Sequence, residues 1–147
     1  MSANYASLND QASSVSTGKD AIVIVDNFQS IRGGRTLDMS AFIAANPLVL
    51  SLMAGHIIIR ETATAIYKPM PITTANAQAY SGDTFGALPA GYTYAGVLIN
   101  SIPVLKPFAG ILVRGTVNNL AMPYDPAAIL AALKAALVSV DFRTDAQ

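Results

Sequence analysis

His56 is the only histidine in the chain, and Glu61 the only glutamate. A Ser-His-Asp triad needs a serine nucleophile and an orienting carboxylate around one imidazole. Serine and aspartate occur, but no Gly-x-Ser-x-Gly elbow accompanies them. His56 opens an apolar run, a place where histidine usually bonds a backbone carbonyl, so a structural role is expected. A zinc site needs three or four ligands at set spacings, and one histidine without cysteine does not supply them. Paired carboxylates must converge in a cleft to hydrolyse glycosides. The acids Asp10, Asp20, Asp26, Asp38, Asp83, Asp125, Asp141 and Asp145 fall instead in turns, caps and tails. Gly33-Gly34-Arg35-Thr36 reads as a tight turn rather than an anion cradle, and neither Gly-x-Gly-x-x-Gly nor Gly-Lys-Ser/Thr is present. No enzyme activity, cofactor or metal is therefore expected.

The remaining candidates are residues that bind rather than react. Arg32 and Arg35 flank the glycine turn; they are either solvated turn charges or a pair gripping carboxylates of a neighbouring subunit. Arg114 lies within an apolar strand, so it either points to solvent or forms an ion pair. Tyr92 and Tyr94 share one strand face and read as a packed edge, since a nucleobase platform would want basic neighbours.

These residues must be held by one domain. A chain of 147 residues is long enough to bury a core unaided. Hydrophobic residues make up 52% and charged residues 12%, against about 25% charged in an average soluble domain. Much of the surface must then be neutral or apolar. A spanning helix needs about 20 consecutive apolar residues; the best run, 47–59, is shorter and holds Ser51, Gly55 and His56. Partner surfaces covering the apolar area are the better reading. Nine basic residues balance nine acidic ones, which gives no electrostatic footprint for nucleic acid. The absence of cysteine removes disulfides and thiolate chemistry and suits a cytosolic origin.

Residues 1–20 are small and polar, with Tyr5 and Leu8 the only large side chains. They lack the apolar stretch of a signal peptide and read as a flexible N-terminal arm, either disordered or ordering on a neighbour. Residues 21–25 predict a strand stopped by Asp26-Asn27. Residues 35–42 alternate and predict an extended segment. A hairpin is expected over 56–61 and 65–68, after which Pro69 and Pro71 end ladder pairing. Residues 73–89 predict a long polar loop, either mobile or functional. Two apolar strands, 92–100 and 109–117, are expected to pair and be buried on both faces. Asp125-Pro126 predicts a helix start, with Ile129, Leu133 and Leu137 as its buried stripe. Val138, Val140 and Phe142 then alternate as a last short strand. The fold class is α+β: a mainly β single domain with an extended N-terminal arm and one C-terminal helix.

Three segments carry a resemblance: Gly33-Gly34-Arg35-Thr36-Leu37-Asp38, the stretch from Ala54 to Thr64, and Tyr67-Lys68-Pro69-Met70-Pro71. In that order they resemble auxiliary capsid or head-fibre proteins of tailed bacteriophages, those of crAss-like phages nearest. Tyr94-Ala95-Gly96-Val97-Leu98, then Ile111 to Asn118 and a closing helix, is similar to a wider class that includes the head decoration protein of phage lambda. The resemblance covers roughly residues 33–142.

It implies a virion protein made in the host bacterial cytoplasm that binds and stabilises the outside of the major capsid protein shell. Residues 21–147 would be the capsid-binding domain. Partners would be the major capsid protein and copies of the chain itself, with neither nucleic acid nor membrane. The alternative is a head-fibre anchor, neck or tail adaptor; the chain's short remainder after Phe142 favours a short surface protein over a fibre. Tyr5, Leu8, Phe28, Arg32, Arg35 and Arg114 are the candidate subunit-interface residues.

Overall fold

The computed structural model describes residues 20–79 and 82–144. Its centre is a six-stranded sheet built around three consecutive isoleucines. Strand β4 (Ile57–Glu61) buries Ile57, Ile58 and Ile59 together, which a strand does only when both sheet faces are covered. It pairs antiparallel with β5 (Tyr67–Pro69) on one side and β6 (Tyr92–Leu98) on the other. From β6 the sheet continues to β9 (Ile111–Asn118) and then to β1 (Ile24–Ser30) at the edge. A last strand, β10 (Val140–Arg143), joins β9 in parallel. Two short ribbons, β2 (Arg35–Thr36) with β8 (Phe108–Ala109) and β3 (Ser51–Leu52) with β7 (Ile102–Pro103), complete the strands.

The sheet separates two apolar cores. Ile57, Ile59, Val97, Leu112 and Val117 face one side, where helix α3 (Leu130–Ala136) and Phe85 cover them. Ile58, Leu98 and Ile111 face the other, covered by Leu37, Met39 and Phe42, the last on the short helix α2 (Ser40–Ala45). Ile129, Leu133 and Leu137 form the expected buried stripe, and Val140 and Phe142 the buried half of β10. A mainly β domain closed by a C-terminal helix is thus what the chain forms, with short helical turns added at α1 (Asp20–Val23) and α2.

Several boundaries differ from expectation. The first strand covers Ile24–Ser30 instead of 21–25. Asp26 and Asn27 do not stop it, because both are exposed on an edge strand where polar side chains meet water. The preceding residues turn because Asp20 is anchored. Ser101 donates to its carboxylate through the backbone N–H at 2.9 Å and through Oγ–H at 2.8 Å. Ser101 Oγ in turn accepts from the Ala54 N–H. Asp20, expected as the last residue of the arm, is therefore part of the fold; residues 1–19 lie outside the described residues. Replacing Asp20 with alanine should lower stability by about 1–3 kcal/mol, the cost of orphaning these part-buried donors, as measured by urea unfolding. A change below the error of that measurement would show the anchor to be dispensable.

The segment 35–42 is not extended throughout: its strand covers only Arg35–Thr36, and Met39 already has helical backbone angles. Asp38 Oδ1 accepts from the Ser40 N–H and hydroxyl at 3.0 and 2.6 Å, which turns the chain into α2. Those bonds hold the Asp38 carboxyl below its ordinary pKa. Pro69 does not end pairing but sits within the ladder opposite Ile58. The edge position of β5 tolerates it, since an edge strand needs donors on one side only. The C-terminal helix begins at Leu130, later than Asp125-Pro126 implied. Backbone bonds of Asp125 to Asp83 and Phe85 keep it extended. Its Oδ1 accepts from the Ala127 N–H at 2.9 Å, forming a turn that leads into the helix.

The loop 73–89 is more than a polar connection. Asn76 ties the loop to the segment after α2: its N–H donates to Asn46 Oδ1, and its Oδ1 accepts from the Leu48 N–H, each at 2.8 Å. Tyr124 donates its hydroxyl to the Ala77 carbonyl. Phe85, 2% exposed, enters the core.

Candidate interaction surface

The buried chemistry is that of packing. His56 is fully buried, with the rings of Phe85, Tyr124 and Phe42 set edge-on to it at 5.1, 5.6 and 5.7 Å. Its Nε2 lies 2.8 Å from the Met70 carbonyl. A carbonyl only accepts, so the neutral ring carries its proton on Nε2. Nδ1 has no hydrogen-bond partner among the described residues. Burial drives the pKa down from 6.5 to about 4, against the opposing pull of the Met70 bond. Neither a hydroxyl nucleophile nor a carboxylate bonds this ring, so the triad geometry is not assembled around it. Among the described residues no group of three or more His, Asp or Glu side chains is placed to hold a metal ion.

Lys68 and Tyr92 meet across β5 and β6. The Lys68 ammonium donates to the Tyr92 hydroxyl at 2.9 Å and lies 3.8 Å from Asp38 Oδ2. The Tyr92 bond is the largest influence raising the Lys68 pKa. This cluster rims a groove of about 470 Å³ lined largely by apolar side chains, among them Phe42, Ile59, Pro69, Pro71 and Pro89. Tyr92 thus bonds into the sheet, in keeping with a packed edge. A smaller pocket lies against Asn119, whose buried side-chain amide has no hydrogen-bond partner among the described residues. Leaving such a group unpaired costs roughly 1–3 kcal/mol.

The outer surface keeps several large apolar side chains. Among the described residues, Ile22, Val25, Phe28, Leu48, Leu50, Leu105, Phe108, Leu120 and Val138 are all exposed. Val138 belonged to the expected alternation of the last strand, yet it lies in the turn before β10 and faces water.

Strand β1 concentrates the unusual features. Among the described residues it pairs only with β9, and it has five exposed residues in succession, Val25 to Gln29. The ladder steps from Ile24 opposite Val117 to Asp26 opposite Thr116, and from Asn27 opposite Gly115 to Gln29 opposite Arg114. Each step leaves one extra residue on β1, and the two extra residues are Val25 and Phe28. Gly115 permits this close approach, because a Cβ there would collide with the Asp26 carbonyl.

Of the candidate interface residues, Phe28 lies on this edge strand, Arg32 just after it and Arg114 on the neighbouring strand β9. Phe28 is 70% exposed, Arg114 lies opposite the neighbouring Gln29, and Arg32 follows β1. Arg114 is exposed, which settles its alternatives in favour of solvent. Arg35 turns away. Its Nη1 donates to the carbonyls of Arg32 and Gly34, and its guanidinium stands over the Tyr67 ring at 5.7 Å. It braces the Gly33-Gly34 turn, whose φ angles of 74° and 65° suit glycine. Tyr5 and Leu8 lie outside the described residues. Val25 and Asp26 went unselected because the strand was expected to end there; exposure of both faces of a strand leaves no periodic signal.

No family model, no curated protein and no solved structure matches this chain. No helix among the described residues is long and apolar enough to cross a membrane.

Proposed function

We propose that this chain is a structural protein of a tailed-bacteriophage particle, an auxiliary protein that binds the outside of the major capsid protein shell and stabilises it. The observation that carries the reading is the set of large apolar side chains left on a weakly charged surface. Such a surface favours coverage by other subunits over free solution. The resemblance of residues 33–142 to auxiliary capsid and head-fibre proteins supplies the identity of the covering partner. Covering apolar area contributes roughly 25 cal/mol per Å². Contacts too weak to hold alone become durable when repeated over a lattice, because neighbouring sites act in concert.

Co-sedimentation is the test. The purified chain should pellet with preassembled shells and associate little with free capsid monomer. Equal binding to both forms, or none to either, would overturn the proposal. Copy number separates a shell protein, present in many copies per particle, from a neck, tail or fibre adaptor present in few.

A further inference from the structure

We propose that β1 is a self-association edge at which two copies of this chain pair antiparallel about a twofold axis. Pairing there would extend the central sheet of one copy into that of the other. The inference does not rest on the shell-binding reading and holds for the chain in free solution.

An edge strand presents a row of backbone donors and acceptors that can pair with another strand. Edges meant to stay single are usually guarded by lysine, by proline, or by bulges that turn the strand away. The sequence of β1, Ile24-Val25-Asp26-Asn27-Phe28-Gln29-Ser30, contains neither lysine nor proline. It has bulges, yet the residues they extrude are Val25 and Phe28, 45% and 70% exposed. Bulges re-aim side chains, and here they turn two apolar ones towards water. A guarded edge would show charges at those positions.

The charges along the strand identify the occupant. Asp26 lies near its start, and Arg32 just beyond its end. Both are exposed, and neither has an ion-pair partner among the described residues. A twofold interface sets each residue against its complement on the other copy. In the antiparallel register whose twofold axis passes Gln29, Asp26 of each copy lies opposite Arg32 of the other, in the turn that follows β1, forming two equivalent ion pairs. Parallel alignment would set like charges together. The strand is therefore complementary to itself in one orientation.

Light scattering and sedimentation of the full chain over a concentration series test this directly. The expected species is a dimer. Reversing one charge, by Asp26→Arg or Arg32→Asp, replaces both attractions with repulsions and should weaken dimerisation about tenfold. Combining the two reversals re-forms both pairs with swapped signs and should restore it. Phe28→Ser should weaken it while leaving the melt of the dilute, monomeric protein unchanged, since Phe28 contributes little to the core. A monomer at every concentration would overturn the proposal. So would a trimer, a dimer indifferent to the single reversals, or a double variant that stays as weak as either single one.

Discussion

Replacing Phe85 with alanine should lower the unfolding free energy by about 4 kcal/mol, within the range for emptying a buried aromatic site. Phe85 is 2% exposed and packs edge-on against both His56 and Tyr124, at 5.1 and 5.5 Å. It comes from the loop 73–89, so its removal opens a cavity and releases the segment that fills it. The ties left to the loop are then the Asn76 bonds to Asn46 Oδ1 and the Leu48 N–H and the Tyr124 bond to the Ala77 carbonyl. Chemical denaturation measures the loss, and Phe85→Leu should recover part of it by refilling volume. A loss under 1 kcal/mol in the alanine variant would show that the loop lies on the core without completing it.

The second large effect is a pH dependence carried by His56. Its pKa is about 4 in the folded chain against an ordinary 6.5, because burial among aromatic rings penalises the charged ring more than the Met70 bond favours it. Between these values the unfolded chain holds more protons than the folded one. Stability therefore falls as pH falls from 6.5 towards 4, by about 3 kcal/mol across the window. Above pH 6.5 both states are neutral and the group adds no slope. His56→Gln keeps an N–H for the Met70 carbonyl but cannot titrate. Unfolding free energies of the two proteins, measured from pH 7 to pH 4, should diverge in slope below 6.5, the variant being flatter. Carboxylate titration is common to both and cancels in the comparison. Parallel curves would place the folded pKa near its ordinary value and contradict the burial.

The legible parts of this molecule were those with a local period or a local steric rule. The stripe Ile129, Leu133, Leu137 marks a helix because residues four apart share a face. Val140 and Phe142 mark a strand because residues two apart do. Residues 56–61 mark a strand by their β-branched run, whereas the burial of Ile57, Ile58 and Ile59 on both faces emerged only from the assembled sheet. Gly33-Gly34 marks a turn because only glycine enters positive φ without strain. His56 was legible as a histidine bonded to a carbonyl from its place at the mouth of an apolar strand, although no signal named Met70 as the acceptor.

What failed were boundaries decided by distant partners. Asp20 joins the fold through Ser101, eighty-one residues away. Asp125 stays extended because Asp83 and Phe85 pair with its backbone. The burial of Phe85 was invisible because a single aromatic in a polar loop carries no periodicity.

Composition by itself determined that this chain has too few charges to clothe its surface, and residue pattern determined a β-rich domain closed by a helix. Both are sums over the chain or over neighbours within a turn. Only the tertiary structure decided which apolar residues stay uncovered, that β1 is an edge, and that its two bulges turn Val25 and Phe28 outward. An edge exists only relative to the strands that pair elsewhere, so it is a property of the assembled sheet and not of any stretch of sequence.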